Sequence, residues 1–529
     1  MAPRDYRHFV PFIGMECLFY CKFFKNIKIF YRALKGGNIL NSNNSQKIKE
    51  IFKSPKLLVL SCEVENIKAS PISLFRKMCK GSKCYLLESA ETIDKWGRYS
   101  YIGRKPFIEV KGRGSEISIY KDNLITQKKG NPLNIIKDLI KEYEMPFIED
   151  MPDFIGGAVG YIGYDIIRNY EELGRMNFDD IRMPDLHLLF MEEIIIYDHL
   201  KEKVIAIANL PMSSDKKNIY QGALNRLEGI RDEILNDESS LEYQKTPQPK
   251  VFNYTSNETK EEFMEKVLRA KKYIEEGDIF QVVLSQRLEV ETDISPLNVY
   301  QTLRSLNPSP YMFYIDFIEY HLVGSSPEML AKVKNREIET CPIAGTRPRG
   351  KTTKEDEKLA EELLKDTKEQ AEHLMLVDLA RNDIGKVSEF GTVKLTNYME
   401  VQKYSHVMHI VSNVVGSLKE DYDMFDALIS SLPAGTVSGA PKIRAMKIID
   451  ELETRKRGVY AGAVGAIGFN GNMDTCIAIR TIVFKNNRAY IQAGAGIVAD
   501  SDPEGEYLET LRKAKALMES IKITEEVLS

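Results

Sequence analysis

Two carboxylate pairs, Glu369 with Glu372 and Glu506 with Glu509, stand three residues apart in stretches that read as helix. At that spacing both members of a pair share one helix face. Brought face to face, the pairs make an all-oxygen site, and without cysteine or clustered histidine nearby the donor set favours Mg²⁺. Such pairs are more often solvated surfaces. At Glu372, however, the surrounding leucines turn a carboxylate toward protein, where it needs a compensating partner.

Three glycine-rich turns offer backbone N–H groups: Gly345 and Thr346 in PIAGTRPRG, residues 435–441 in GTVSGAP, and Gly494, Ala495 and Gly496 in AGAG. With Arg480 they form a set able to hold the carboxylates of a small dianion. None fits a phosphate loop or a dinucleotide fingerprint, and the plain alternative for any one of them is a tight turn. His409, in KYSHVMHIVSNVVG, lies three residues after His406 in a segment that reads as a strand. Strand geometry turns the two rings to opposite faces, so they do not share a metal.

The elements that must position these groups follow from pattern. In the first half, residues 117–120 alternate with period two, and residues 57–60 and 193–197 are apolar runs of strand type. In the second half, Ser256 precedes a helix over 261–276, which Gly277 closes before a strand over 279–288. Residues 354–379 read as one helix carrying Glu369, Glu372, Leu376 and Leu379 on a single face. Gly439, Ala440 and Pro441 open a helix running to Glu453, and residues 504–521 form a last helix.

The chain has 529 residues, 77 acidic against 73 basic, for a formal charge of −4, and 43 % hydrophobic residues. This is a globular composition with no bias toward nucleic acid. No apolar run reaches the roughly 18 residues of a membrane-spanning helix. The seven cysteines are irregularly spaced, so neither a disulfide framework nor a zinc site is expected and a reducing cytoplasm fits. Residues 1–50 hold nine Lys or Arg against three acids. They read as a disordered basic extension, with an amphipathic helix over 15–31 and organellar targeting as the second reading. The polar stretch 239–257 is the expected linker between an N-terminal region, 51–238, and a C-terminal domain, 258–525.

In order along the chain, GDIFQVVLSQR, NPSPYMFYIDF, PIAGTRPRG, EHLMLVDLARND, GTVSGAPKIRAM, DTCIAIR and QAGAGIVADSDPEGEYLET resemble the chorismate-utilising enzymes. The first half adds YLLESAE and GGAVGYIGYD. Within that family the pattern is similar to the large, component I chains of the anthranilate synthases. The resemblance implies an α+β fold, a large two-layered α/β sandwich of mostly antiparallel sheets flanked by helices, with the two halves packed together. It implies a Mg²⁺-dependent lyase that converts chorismate and ammonia to anthranilate and pyruvate in tryptophan biosynthesis, with aminodeoxychorismate synthase as the alternative.

By the same resemblance, Glu372 and Glu509 hold Mg²⁺, with Glu369 and Glu506 beside them or bridged by water. Gly345, Thr346, Tyr460, Arg480, Gly494, Ala495 and Gly496 contact chorismate, and His409 is catalytic. Isochorismate and salicylate synthases place a Lys base where Gln281 stands and a Glu acid where Cys341 stands; some aminodeoxychorismate synthases place a nucleophilic Lys where Ala344 stands. Ammonia is therefore the expected nucleophile. The chain shows no glutaminase nucleophile of its own, which implies a separate glutamine amidotransferase subunit, component II, as partner. Feedback inhibition by tryptophan is implied at Glu88, Ser89, Pro310, Tyr311 and Met312. No nucleic acid or membrane partner is expected.

Overall fold

The sequence LLVLSCEV is apolar at successive positions rather than alternate ones, and it forms a strand, Leu57–Val64, covered on both faces. In the computed structural model, which describes residues 28–30, 40–41, 56–65, 67–89, 97–145, 151–212, 216–236, 252–403 and 407–528, this strand pairs with Lys203–Pro211. The ladder continues through Leu186–Asp198 to Tyr99–Arg113 and Gly157–Ile162. All pairings between strands are antiparallel and join into one extended sheet system.

Two ladders run across the middle of the chain. Cys84–Glu88 pairs with Tyr311–Asp316, setting Glu88 opposite Met312, and Gly157–Ile162 pairs with Ala463–Gly468. Close approach at the second junction requires glycine: Gly157 has φ +142°, and a Cβ there would fall 2.0 Å from the Ile467 carbonyl oxygen. Alternation along Tyr311–Asp316 sends Phe313 and Ile315 into a core shared with Tyr161, Leu188 and Phe190. Met312 and Tyr314 enter a second core, on the opposite face, with Phe75, Ile102 and Leu303.

The helices cover these faces. Lys260–Glu275, within one residue of the expected 261–276, is capped by Thr259, whose side chain and that of Glu262 form a reciprocal capping box. The expected single helix over 354–379 is two, Thr353–Lys365 and Thr367–Gly385. Asp366 breaks it, its extended backbone and side chain capping the N–H groups of Lys368 and Glu369. Lys442–Leu452 follows a short strand at Gly439–Ala440, and the last helix, Pro503–Leu528, runs past the expected end.

Most of residues 1–50 lies outside the described residues. Lys28–Phe30, expected within a possible helix, is instead a strand paired with Val59–Ser61. The linker lies outside the described residues as far as 251, and its end, Thr255–Ser256, pairs with Leu288–Glu289.

A buried polar contact also joins the halves. His187 is fully buried, donates from Nε2 to Glu109 at 2.8 Å, accepts from the Tyr320 hydroxyl at Nδ1 at 2.5 Å, and stacks on Phe317. Burial pushes the imidazole down to about 4. It is thus held neutral, and its contribution to stability is complete above its unfolded value of about 6.5 and is lost as pH falls toward 4. Tyr320→Phe leaves a buried ring nitrogen without its donor. It is expected to lower the unfolding free energy by about 1–3 kcal/mol in urea titrations at neutral pH; an unchanged midpoint would show that the contact carries no stability.

Candidate active site

The strand Ile343–Pro348 bulges between Ala344 and Arg347, and the displaced Gly345 adopts φ +66°. Its carbonyl oxygen thereby reaches His409 Nδ1 at 2.8 Å, and the Thr346 hydroxyl lies 3.1 Å from the same nitrogen. A carbonyl only accepts, so Nδ1 carries the proton and Nε2 is the ring's acceptor. Burial lowers the pKa of His409, Arg480 adds to that effect, and the Gly345 carbonyl and Glu369 oppose it. His406 lies outside the described residues.

The break at Asp366 places Glu369 in the first turn of the helix Thr367–Gly385. Arg347 donates to Asp366 at 2.7 Å and to Glu369 at 3.2 Å, and a Cβ on Gly345 would meet Glu369 Oε2 at 3.1 Å. Glu369 is therefore fixed against the Gly345–His409 pair. Glu372 lies one turn on; burial raises its pKa, and Glu369 and Glu506 raise it further.

From the opposite wall, Pro503–Leu528 presents Glu506, Glu509 and Lys513 at helical spacing. Burial and Glu509 raise Glu506. Burial also acts upward on Glu509, but Lys513 and Arg512 outweigh it and hold it down, Arg512 donating at 2.8 and 3.0 Å. Lys513 donates to the Gly494 carbonyl oxygen at 3.0 Å. Among the described residues no three His, Cys, Asp or Glu side chains close into a metal cage. The donor chemistry nevertheless fits a hard cation: Glu372 and Glu506 are carboxylates raised by burial and further by neighbouring carboxylates, a cost that a cation would relieve.

The floor is the strand Arg488–Ile497, paired with Gln281–Glu291. Gly494 and Gly496 face one side of it. A Cβ at Gly494 would lie 2.7 Å from the Tyr460 hydroxyl, and one at Gly496 would lie 2.5 Å from the Gln281 amide nitrogen. Those two side chains occupy the space the missing ones vacate. Ala495 faces the other side, packed with Phe263 and Ala445, and offers only backbone.

Arg480 sits at φ +50° after the strand Met473–Ile477. Its guanidinium makes no hydrogen bond to a described residue. Burial lowers its pKa, while Glu328, Tyr460 and Glu509 oppose that. Burial pushes the Tyr460 hydroxyl up to about 12.

Two groups were missed by the sequence reading. Glu328 accepts from the Thr436 hydroxyl at 2.9 Å, and burial raises its pKa although Arg480 and Lys513 pull it down. Cys341 itself is no acid, but Glu328 brings a carboxyl to the cavity that Cys341 also lines. Lys513 was legible as the residue four after Glu509 on the same helix face. Burial raises the thiols of Cys341 and Cys476 to about 12, so neither is a thiolate nucleophile.

A second cavity, of about 300 Å³, opens at the junction of the halves. Glu88, Ser89, Pro310, Tyr311 and Met312 all line it, with Asp474 and Lys332 on the far wall. Glu88 is held by Arg304 at 2.9 Å and by the Tyr300 hydroxyl at 2.8 Å, while the Ser89 hydroxyl is buried without a partner. Leu86 and Met312 are core residues, and Leu87 faces the cavity.

The model of the chorismate binding enzyme family matches residues 83–519. Anthranilate synthase component 1 of Acetivibrio thermocellus is 51 % identical over 488 residues, covering 91 % of this chain and 98 % of the relative. The solved anthranilate synthase component I of Streptococcus pneumoniae superposes with a TM-score of 0.69 at 39 % identity, covering 85 % of this chain and 97 % of that one. The menaquinone-specific isochorismate synthase of Escherichia coli, at 19 % identity and TM-score 0.67 over 89 % and 95 %, shares the fold.

A neutral His409 sets a pH dependence. Since burial depresses its pKa, the basic form persists as pH falls below about 6.5 and is lost only at the depressed value. The acid limb of kcat is expected below pH 6.5 in rate profiles, and His409→Gln is expected to lower kcat by about 10²–10⁴ and abolish that limb. An acid limb above 6.5 in the wild type would exclude the neutral base.

Proposed function

The chain belongs to the chorismate-binding enzymes, among the component 1 anthranilate synthases, and from that membership we propose how its cleft converts chorismate and ammonia to anthranilate and pyruvate. The observation that carries the reading is the mutual electrostatic proximity of two cations, Arg480 and Lys513, an acid, Glu328, and the imidazole of His409, whose pKa is depressed. Neither Gln281 nor Ala344 supplies a base or a nucleophile.

Arg480, with the N–H groups beside Gly494, binds carboxylate, and Lys513 adds a second positive charge. The raised pKa of Glu328 favours its protonated form, suited to protonating the C4 hydroxyl as it leaves as water. Ammonia adds at C2 as that bond breaks, and one of its protons is then shed to solvent or base. His409 Nε2 takes the C2 proton in the following elimination; the ring C3–O bond breaks with its electrons going to oxygen, the ring becomes aromatic, and the released enolate takes up a proton at its methylene carbon to give pyruvate. Mg²⁺, which Glu372 and Glu509 would hold with Glu369 and Glu506 beside them, would supply Lewis-acid charge at the ring carboxylate and the departing hydroxyl.

Ammonia is largely protonated at neutral pH, so a nearby source helps. The partner we propose is a glutamine amidotransferase subunit. No helix among the described residues is long and apolar enough to cross a membrane, and a cytoplasmic setting fits the free cysteines. The junction cavity is proposed to take tryptophan as feedback inhibitor: Glu88 offers an anion for the amino group, and Ser89 an unpartnered hydroxyl.

Incubating the protein with chorismate, Mg²⁺ and ammonium is expected to give anthranilate fluorescence with equimolar pyruvate. Isochorismate, salicylate or 4-amino-4-deoxychorismate as the main chromatographic product would overturn the assignment. Ser89→Phe, which fills the cavity, is expected to raise the tryptophan concentration for half inhibition at least about tenfold, a coupling loss of about 1.4 kcal/mol, with turnover nearly unchanged. Unaltered inhibition would remove this cavity from the regulatory reading.

A further inference from the structure

His373, next to Glu372 and 0 % exposed, is a buried imidazole that the chemistry above does not use. Its Nε2 lies 2.7 Å from the Ser412 hydroxyl, while its Nδ1 is buried with no partner. A leucine there would avoid that unsatisfied nitrogen, so packing alone does not account for histidine.

Ser412 is a junction. Its hydroxyl accepts from the Met399 N–H at 2.9 Å, at a residue with φ +50° in the irregular strand Lys394–Lys403. Its own N–H donates to the Pro342 carbonyl, at the entrance to the strand that carries Gly345 and Thr346. Three residues before it on the strand Val407–Ser417 stands His409. The His373–Ser412 bond is thus a direct polar tie between the helix carrying Glu369 and Glu372 and the three strands that hold His409 and the Gly345 bulge. The Arg347 bonds to Asp366 and Glu369 hold the start of that helix, and the short directional His373–Ser412 bond holds the next turn, which carries Glu372.

We propose that His373 is a positioning residue, which through Ser412 locks the carboxylates of the helix Thr367–Gly385 in register with His409. The inference rests on the reading that those carboxylates serve the reaction. Loss of the tie should leave substrate capture by Arg480 and the glycine floor intact and slow the chemical step.

The test compares His373→Leu, Ser412→Ala, the double variant and His373→Gln, with Glu372→Gln as control, each assayed for kcat, chorismate KM, thermal midpoint and Mn²⁺ binding by electron paramagnetic resonance. His373→Leu and Ser412→Ala are expected to lower kcat at least tenfold and weaken Mn²⁺ binding, with chorismate KM within about twofold; the thermal midpoint is expected unchanged or raised in His373→Leu and lowered in Ser412→Ala, which leaves the Met399 N–H and the His373 ring without their partner. The double variant is expected to be no worse than either single one. His373→Gln, whose amide reaches toward the same hydroxyl, should recover most of the loss. Parallel falls in kcat and thermal midpoint in His373→Leu, or additive single losses of kcat, would overturn the proposal; should His373→Leu fail to fold, the kcat, KM and Mn²⁺ binding of Ser412→Ala decide it. If Glu372→Gln keeps full activity and Mn²⁺ binding, the reading of the carboxylates fails instead, and a preserved kcat in His373→Leu together with an inactive Glu372→Gln refutes the positioning role alone.

Discussion

The pairing of Cys84–Glu88 with Tyr311–Asp316, and of Gly157–Ile162 with Ala463–Gly468, is the constraint from which the rest of the structure follows. Backbone groups buried at a sheet junction must be satisfied across it. Each half of the chain therefore supplies hydrogen bonds that the other half needs, and neither presents a finished edge alone. The junction cavity exists because the first of these ladders sets Glu88 opposite Met312; its wall is made jointly, and nothing in either segment alone would form it.

The same sheet delivers the cleft. Strand alternation puts Gly494 and Gly496 on one side and Ala495 on the other, so the floor is smooth where Tyr460 and Gln281 lean over it. Charge is then distributed by helices. One presents Glu372, raised by burial and further by neighbouring carboxylates, the other brings Glu509 already compensated by Lys513 and Arg512, and Arg480 stands near Glu328, its acidic counterpart. Opposite signs in a poorly solvated space preserve their fields at short range, which suits a dianionic substrate that must lose a hydroxyl.

Much of this was legible in the sequence. The order of motifs gave the fold class, and the five residues expected at the junction cavity do line one cavity although two hundred positions separate the segments. His409, Gly345 and Thr346 do meet. What escaped detection escaped for physical reasons. The helix break at Asp366 depends on a short side chain accepting from the backbone N–H groups two and three residues on, a local preference that the surrounding run of good helix formers hides. Glu328 sits outside any periodic pattern, and its proximity to Arg480 arises from ladders that no local window contains. The His187–Tyr320 contact likewise joins residues 133 positions apart.

Interleaving has a consequence for synthesis. Strand Gly157–Ile162 is made about 300 residues before its partner Ala463–Gly468, an interval of roughly 15–60 s at about 5–20 residues per second. Throughout that interval a fully buried, glycine-bearing apolar strand, GAVGYI, emerges from the ribosome with one edge lacking its neighbour. An unpaired edge of this kind is a template for other chains. The nascent N-terminal half is therefore a client for holding factors, and its yield depends on translation speed through the second half as much as on the stability of the finished enzyme.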